Sequence, residues 1–317
     1  MDKPLVSVCI ITYNHVKYIE QAIESVLMQQ VDFPWEIIIA DDCSTDGTTA
    51  IIQSYKTKYP DLIKLISRKK NVGPGLNFVE LINAAKGKYI AYLEGDDYWI
   101  AKTKLKKQFD YIEMQPNVSL CYHKVKWELM YADKLFEKLE YSNENDPATS
   151  NIFDILNKGW YIRSCSMFFK AIQLPIGFEN LYIGDYPLHF ILATKGDIGF
   201  INEAMGVYRI HKYGISEQEL LTNDFAKRRK NFKNELHVNS FLDKYSNGTY
   251  TKYFRKKEFE ITYSYLNFVF KCNRKKILFE LFSIFTLIRF NFLITSIAQK
   301  LYHKARIFIH KKEIKHI

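Results

Sequence analysis

The feature that most constrains this chain is an alternation of short apolar runs with helical periodicity in its first hundred residues. Leu5 to Thr12, Trp35 to Ala40, Leu62 to Ser67 and Lys88 to Leu93 are runs of strand length, rich in β-branched and other apolar residues. Near-continuous apolar runs of this kind suit strands buried on both faces. Between them, Val16 to Gln29, Thr48 to Tyr59 and Asn77 to Ala85 read as helices, the first with apolar residues at clear helical spacing. The order β-α-β-α-β-α-β with short connections predicts an α/β fold, a mostly parallel central sheet flanked by helices. Such sheets bind ligands beyond the carboxyl ends of their strands. The polar loops after the four strands are therefore expected to gather at one edge.

Those loops carry the chemistry. They read Tyr13-Asn14-His15, Asp41-Asp42-Cys43-Ser44-Thr45-Asp46-Gly47, Asn71-Val72-Gly73-Pro74-Gly75 and Glu94-Gly95-Asp96-Asp97. Neither GxGxxG nor GxxxxGK[ST] occurs among them, which argues against a dinucleotide fold and a P-loop ATPase. Adjacent carboxylates repel one another unless a cation or hydrogen-bond donors compensate. Asp96 and Asp97 are thus candidate ligands for Mg²⁺ or Mn²⁺, which prefer oxygen donors and share their shell with phosphates; the alternative is a solvated turn. Asp41 and Asp42 form a second acidic pair on the same expected edge. A turn followed by a helix cap from Ser44 or Asp46 would also explain that segment.

Beyond Lys102 the pattern mixes. Leu105 to Met114 reads as a helix and Val118 to Val125 as extended chain. Tyr131 to Ser150, polar and charged, reads as a loop. Cys165 to Lys170 reads as a strand, Gly184 to Lys195 as a helix and Ile198 to Ile210 as two short strands.

Five scattered cysteines without a CxxC pair fit a reducing compartment and neither a disulfide framework nor a zinc site. The segment MDKPLVSVCIITYN lacks the pattern of a signal peptide, so the catalytic half is expected in the cytoplasm. The net charge of +10 is uneven. From Thr251 onward fifteen Lys or Arg face four Glu, a net of +11, and the preceding residues are nearly neutral. The clusters Arg255-Lys256-Lys257, Arg274-Lys275-Lys276 and Lys311-Lys312 surround an apolar stretch, Ile277 to Ala298, that Glu280 and Arg289 interrupt. Charges in mid-span are expensive. The expectation is a helical basic tail on an anionic membrane surface, peripheral at the inner face of the cytoplasmic membrane. A helical subdomain with a solvated basic face, or a homodimer contact, is the alternative. Nucleic-acid binding is not expected, because no binding motif accompanies the charge.

The ordered segments VSVCIITYN (Val6 to Asn14), IIIADDCSTDGT (Ile37 to Thr48), NVGPGLN (Asn71 to Asn77) and YIAYLEGDDYW (Tyr89 to Trp99) resemble family 2 glycosyltransferases of the GT-A fold. The resemblance covers roughly residues 4 to 130, with weaker echoes to about 216. It implies a GT-A-type, Rossmann-like catalytic domain over residues 1–216, with a nucleotide-binding half to about 100 and an acceptor half after it. The basic region, 217–317, follows.

By the same resemblance Thr12, Tyr13 and Asn14 line the nucleotide site, and Asp42, or else Asp41, hydrogen-bonds the base. Asn71 and Gly73 lie near the nucleotide. Asp96 and Asp97 hold the metal that bridges the diphosphate, with Asp97 as the direct ligand; this sequence has adjacent acids in place of a strict DxD. Asp185 is the expected base, although Gly184 stands where many members carry a second acid and a helix cap is the alternative. Arg209 offsets phosphate charge, and His211 reaches the metal or the diphosphate. Trp99 and Glu94, beside the metal loop, are expected to face sugar or acceptor, unless Trp99 packs the core. The implied reaction moves a sugar from a nucleotide donor, UDP-linked by default, to a glycan or lipid-linked acceptor in cell-surface polysaccharide synthesis, with inversion. A nucleotidyltransferase would carry a Gly-rich, basic phosphate loop in place of Ile11-Thr12-Tyr13-Asn14. A scaffold without activity would have no use for the retained acids.

Overall fold

A computed structural model describes residues 3–131, 134–141, 148–182, 184–211, 214 and 224–272. Contact density divides the chain into two compact units, Met1–Leu221 and Thr222–Ile317. In the first unit the expected alternation appears as β1 (Val6–Thr12), α1 (Ile19–Leu27), β2 (Trp35–Asp41), α2 (Thr48–Lys58), β3 (Ile63–Ser67), α3 (Pro74–Ala84) and β4 (Tyr89–Glu94). It continues as β5 (Tyr98–Trp99), α4 (Lys104–Met114), β6 (Val118–Tyr131), β7 (Lys134–Tyr141), β8 (Thr149–Ser150), α5 (Ile152–Lys158), β9 (Phe168–Lys170), α6 (Asp185–Ala193) and β10 (Asp197–His211).

The strands form one mixed sheet in the order β3-β2-β1-β4-β9-β6-β10-β5, with β7 beside β6 and β8 beside β10. β1 sits centrally, parallel to β2 and to β4. Val6, Val8 and Ile10 lie on one of its faces and are fully buried with Cys9 on the other, as a strand covered on both sides requires. α1 turns Ile19, Ala22, Ile23 and Val26 inward at i, i+3, i+4 and i+7. The register brings Thr12 opposite Asp41 and Ile11 opposite Glu94. The carboxyl ends of β1, β2 and β4 are therefore level, and their loops share one edge.

Four expectations change. α3 starts at Pro74, three residues before the expected Asn77. Pro at a first helical position has no N–H to leave unpaired, and Gly73, at φ 88, supplies the reversal before it. Residues expected to be loop form β7, which pairs antiparallel with β6 from Val125↔Tyr141 to Tyr131↔Lys134. Edge strands tolerate high charge, so charge density masked it. The two short strands expected over Ile198 to Ile210 are one strand, β10, with register shifts between Ile201 and Gly206. These bulges absorb extra residues without ending the ladder. Cys165 and Ser166, expected in a strand, lie in a 3₁₀ turn, and their carbonyls accept from Trp99 Nε1 at 2.9 Å and Gln108 Nε2 at 2.9 Å.

In the second unit α7 (Phe225–Tyr245) begins at Asp224, whose carboxylate accepts from Ala226 N at 2.8 Å. It packs on α8 (Thr251–Cys272) through Phe232, Ile261, Tyr265, Leu266 and Val269. Phe232 and Tyr265 stack at 4.4 Å. Among the described residues no helix is long and apolar enough to cross a membrane. The apolar stretch from Ile277 to Ala298 and the basic clusters at 274–276 and 311–312 lie outside the described residues.

Candidate active site at the carboxyl edge of the sheet

The two acidic pairs stand at the ends of β2 and β4, on either side of β1, in different surroundings. Asp41 and Asp42 are buried. Asp41 Oδ1 accepts from Ser44 N at 3.1 Å and Ser44 Oγ at 2.5 Å, and its Oδ2 accepts from Thr49 Oγ1. Asp42 Oδ1 accepts from Val72 N at 2.8 Å, and its Oδ2 from Gly73 N at 2.9 Å. Arg68 Nε lies 3.8 Å from Asp42 Oδ1. Gly73 N also reaches Asn71 Oδ1 at 3.0 Å. Asp42 thus fastens the Asn71 to Gly73 loop to the end of β2.

The β1 loop is tied to the same segment. Asn14, in the left-handed region at φ 56, donates its N–H to Ser44 Oγ at 2.8 Å and accepts from Thr45 N at 2.8 Å. Burial opposes the charge on Asp46, but hydrogen bonds from Thr48 Oγ1 at 2.6 Å, Val16 N at 3.0 Å and Thr48 N at 3.0 Å keep its carboxyl below the usual range. Tyr13 is exposed, whereas Thr12 is buried and its Oγ1 has no hydrogen-bond partner.

At the end of β4 the acids meet histidines. Asp96 Oδ2 lies 3.0 Å from His211 Nε2 and 3.6 Å from His15 Nε2. Asp97, 1% exposed, accepts Arg209 N–H at 2.8 Å through Oδ1, while its Oδ2 is buried without a partner. Burial opposes the charge on Asp96, but His15 and the hydrogen bond from His211 bring its carboxyl down to about 2. Burial and the neighbouring charges of Asp96 and Glu94 push Asp97 well up. Glu94, whose Oε2 accepts from Ser164 Oγ at 2.5 Å, is pushed up to about 8 by burial and by Asp96. Gly95 permits the close approach: a Cβ there would lie 2.6 Å from Thr12 Oγ1 and 3.0 Å from His15 Nδ1.

β10 closes the site because residues two apart share a strand face. Arg209 and His211 both reach the 94–97 loop, while β5 pairs with β10 at Gly206↔Trp99. Arg209 donates Nη1 to the Asp96 carbonyl at 2.7 Å and Nη2 to Gln21, and its Nε lies 3.5 Å from Glu128. Its guanidinium sits 4.4 Å over the Tyr98 ring. The buried guanidinium is committed to protein groups. Trp99 corrects one expectation: it is 1% exposed, with its N–H on Cys165 O and Lys104 Nζ 3.7 Å over its ring. It packs the core and has no face for a sugar.

Asp185 opens α6. Its Oδ2 accepts from Trp160 Nε1 and its Oδ1 from Tyr186 N at 3.0 Å. Burial raises its carboxyl to about 6, against these hydrogen bonds and the Arg163 charge. His15 and Trp160 were not among the expected site residues. His15 directly follows Tyr13-Asn14 at a strand end, which was its available signal. For Trp160 the sequence offers only a tryptophan after the helix-ending Gly159. Among the described residues no group of three or more His, Cys, Asp or Glu is arranged to hold a metal ion by itself.

The sequence profile of glycosyl transferase family 2 matches residues 7–171. The chain belongs to glycosyl transferase family 2. An uncharacterised protein of Mycobacterium tuberculosis is 37% identical over 214 residues, covering 66% of this chain and 60% of that protein. A Bacillus subtilis glycosyltransferase named for teichuronic acid biosynthesis, TuaG, is 43% identical over 110 residues, 35% of this chain and 42% of its own. The chain thus matches about 60% or less of the length of these curated relatives. Among solved structures, S. aureus TarS 1–349 in complex with UDP aligns at a TM-score of 0.53 and 18% identity, over 85% of this chain and 73% of that one. A mannosyltransferase from Pyrobaculum calidifontis, in complex with GDP-Man and Mn²⁺, aligns at 0.54 and 15% identity, over 95% and 85%. At these identities the likeness establishes the fold. For this member of family 2 it is the mostly parallel, mixed sheet flanked by helices that glycosyltransferase structures of the GT-A type share.

Proposed function

We propose that this family 2 member is a metal-dependent, inverting glycosyltransferase that moves a sugar from a nucleotide donor to a hydroxyl of a glycan or lipid-linked acceptor. One observation carries the proposal: Asp96, at the end of β4, faces His211 of β10 and His15 of the β1 loop on the edge where such sheets bind ligands. The UDP bound to TarS and the GDP-Man bound to the Pyrobaculum enzyme support a nucleotide-sugar donor, with UDP as the first candidate here. The name of TuaG supports an acceptor in surface-polysaccharide synthesis.

A divalent ion fits the donor set. Asp97 Oδ2 is buried without a partner, and Asp96 with His211 offers the oxygen and imidazole ligands that suit Mn²⁺ or Mg²⁺. One or two protein ligands suffice where a diphosphate supplies the others. Asp97, whose Oδ2 has no protein partner, and Asp96, beside His211, would both be placed to hold the ion. When bound, the ion would neutralise charge gathering on the departing diphosphate.

The chain's own groups do the rest. Tyr13 and Asn14 border the nucleotide. Asp42, engaged by Val72 and Gly73, shapes the nucleotide wall through the 71–73 loop. Arg209 fixes the Asp96 carbonyl and the Asp97 carboxylate, so the acids keep their places when charge changes. Asp185 takes the proton of the acceptor hydroxyl as that oxygen attacks the anomeric carbon from the face opposite the leaving diphosphate. Two of the roughly four acceptor positions of its carboxylate are filled by Trp160 and Tyr186, which leaves others for that proton.

Calorimetric titration with UDP, dTDP and GDP, each with and without Mn²⁺, tests the site in the wild type and in Asp96→Ala. Metal-dependent binding of one nucleotide, lost in the variant, is the expected result. A folded wild type that binds none of them with metal present would sink the proposal. The basic segment from Thr251 onward, which includes Arg255-Lys256-Lys257, supports attachment to anionic lipid. Equal sedimentation with phosphatidylglycerol and phosphatidylcholine vesicles would refute that attachment.

A further inference from the structure

Trp160 is placed unlike any ordinary packed tryptophan. It follows Gly159, which ends α5 in the left-handed region at φ 71, with Gly159 N on Ile155 O at 3.0 Å. The residue is 42% exposed, although a tryptophan is the side chain with most to gain from burial. The one polar atom of its indole is spent on Asp185 Oδ2. The Tyr186 ring lies 6.2 Å from the Trp160 ring at 47°, and Tyr186 gives its backbone N–H to the same carboxylate. Trp99, by contrast, is buried and gives its N–H to a backbone carbonyl.

We infer that Trp160 is a positioning residue for Asp185 and one wall of the acceptor site, its exposed indole face lying against the C–H face of a neutral pyranose. The inference rests on the reading of Asp185 as base. An indole N–H on an ionised carboxylate is a charge-assisted hydrogen bond, which fixes the carboxylate's orientation and favours its charged form. An aromatic body with a polar tip gives a sugar ring an apolar surface while the tip stays engaged. A pyranose on that face would bring a hydroxyl to the free lone pairs of the adjacent carboxylate. The other groups that bear on Asp185 are Arg163, which favours its charge, Tyr186, whose backbone N–H it holds, and Glu94 and Tyr92, which share its electrostatic surroundings.

Two variants separate the roles: Trp160→Phe removes the N–H and keeps a ring face, and Trp160→Ala removes both. The first measurement follows the Asp185 carboxyl carbon by NMR in protein labelled at its aspartate carboxyls, the signal being identified by its loss in Asp185→Asn. The titration midpoint is expected near 6 in the wild type, and about one pH unit higher in Trp160→Phe. The second is saturation-transfer NMR with methyl β-glucopyranoside, methyl β-galactopyranoside and methyl α-mannopyranoside in the presence of UDP and Mg²⁺. Transfer to at least one glycoside is expected in the wild type and in Trp160→Phe, and its loss in Trp160→Ala. An unchanged midpoint in Trp160→Phe overturns the positioning role. Equal transfer in Trp160→Ala, or none from the wild type, overturns the wall. Undiminished sugar transfer by Asp185→Asn would instead remove the base assignment and leave the titration result standing.

Discussion

The ends of β2 and β4 carry the same sequence device, two adjacent aspartates closing an apolar strand, and the fold uses them in opposite ways. At Asp41-Asp42 every carboxylate oxygen accepts from a nearby donor, Ser44, Val72 or Gly73 of the loops or Thr49 in the first turn of α2. At Asp96-Asp97 one oxygen is buried with no partner, and another faces two histidines from distant parts of the chain. The first pair is a clamp that holds loops in register. The second is an electrostatically incomplete cluster, in which Glu94 and Asp97 are pushed up and Asp96 down. Paired acids at strand ends therefore do not identify a metal site by themselves; the supply of nearby donors separates clamp from site.

The comparison breaks most readily at Asp96. Asp96→Asn is expected to lower turnover, read as nucleoside diphosphate release, by about a thousandfold, because stabilisation of the leaving diphosphate is worth several kcal/mol. Its thermal midpoint should move only as far as the lost contacts with His15 and His211 outweigh the relieved repulsion on Glu94 and Asp97. A variant that retains more than a tenth of wild-type turnover would place the essential carboxylate elsewhere, with Asp97 the next to test.

Asp42→Ala has the converse signature. Removing the acceptor of the part-buried Val72 N–H, and one of the two acceptors of Gly73 N–H, costs about 1–3 kcal/mol, seen as a fall of roughly 2–4 °C in Tm per kcal/mol. Should Tm hold while uridine nucleotide binding disappears in calorimetry, Asp42 reads the base directly and is not a clamp.

Asp97→Asn sharpens the contrast within the second pair. The amide oxygen can still accept Arg209 N–H, and the charge that repels Asp96 and Glu94 is gone. Tm at neutral pH is therefore expected to stay level or rise by about 1–3 °C, given that a kcal/mol moves a domain of this size by a few degrees. A fall larger than that would mean the Asp97 charge is already compensated in the folded protein.

The smallest effect concerns Asp185, which belongs to neither pair. A base must be ionised, and its carboxyl is raised to about 6. Turnover should therefore be full well above pH 6 and fall about tenfold per pH unit below it. An acidic limb centred near 4 in a pH–rate profile would show that Asp185 is not the group being titrated.

The order of strands and helices through β4 was legible because a doubly covered parallel sheet imposes an almost continuous apolar strand and a separate helical period. The same logic placed Tyr13, Asn14, Asp41, Asp42, Asp96 and Asp97 in loops at one edge of the sheet, whereas Asp185 was named only through the resemblance to family 2. Family membership was legible too, since four motifs in fixed order carry it. The divisions among those residues needed the tertiary structure. Whether an acid is satisfied depends on donors that arrive from thirty or a hundred residues away, as Val72 reaches Asp42 and Arg209 reaches Asp97. β7 and the continuity of β10 depend on backbone pairing across the sheet, which carries no local periodicity. Trp99 and Trp160 look alike in sequence; one, on β5, is enclosed by α4 and the Cys165 turn, the other is left at the surface beside Asp185. Periodicity fixes which face a residue occupies, and only the folded chain decides what that face meets.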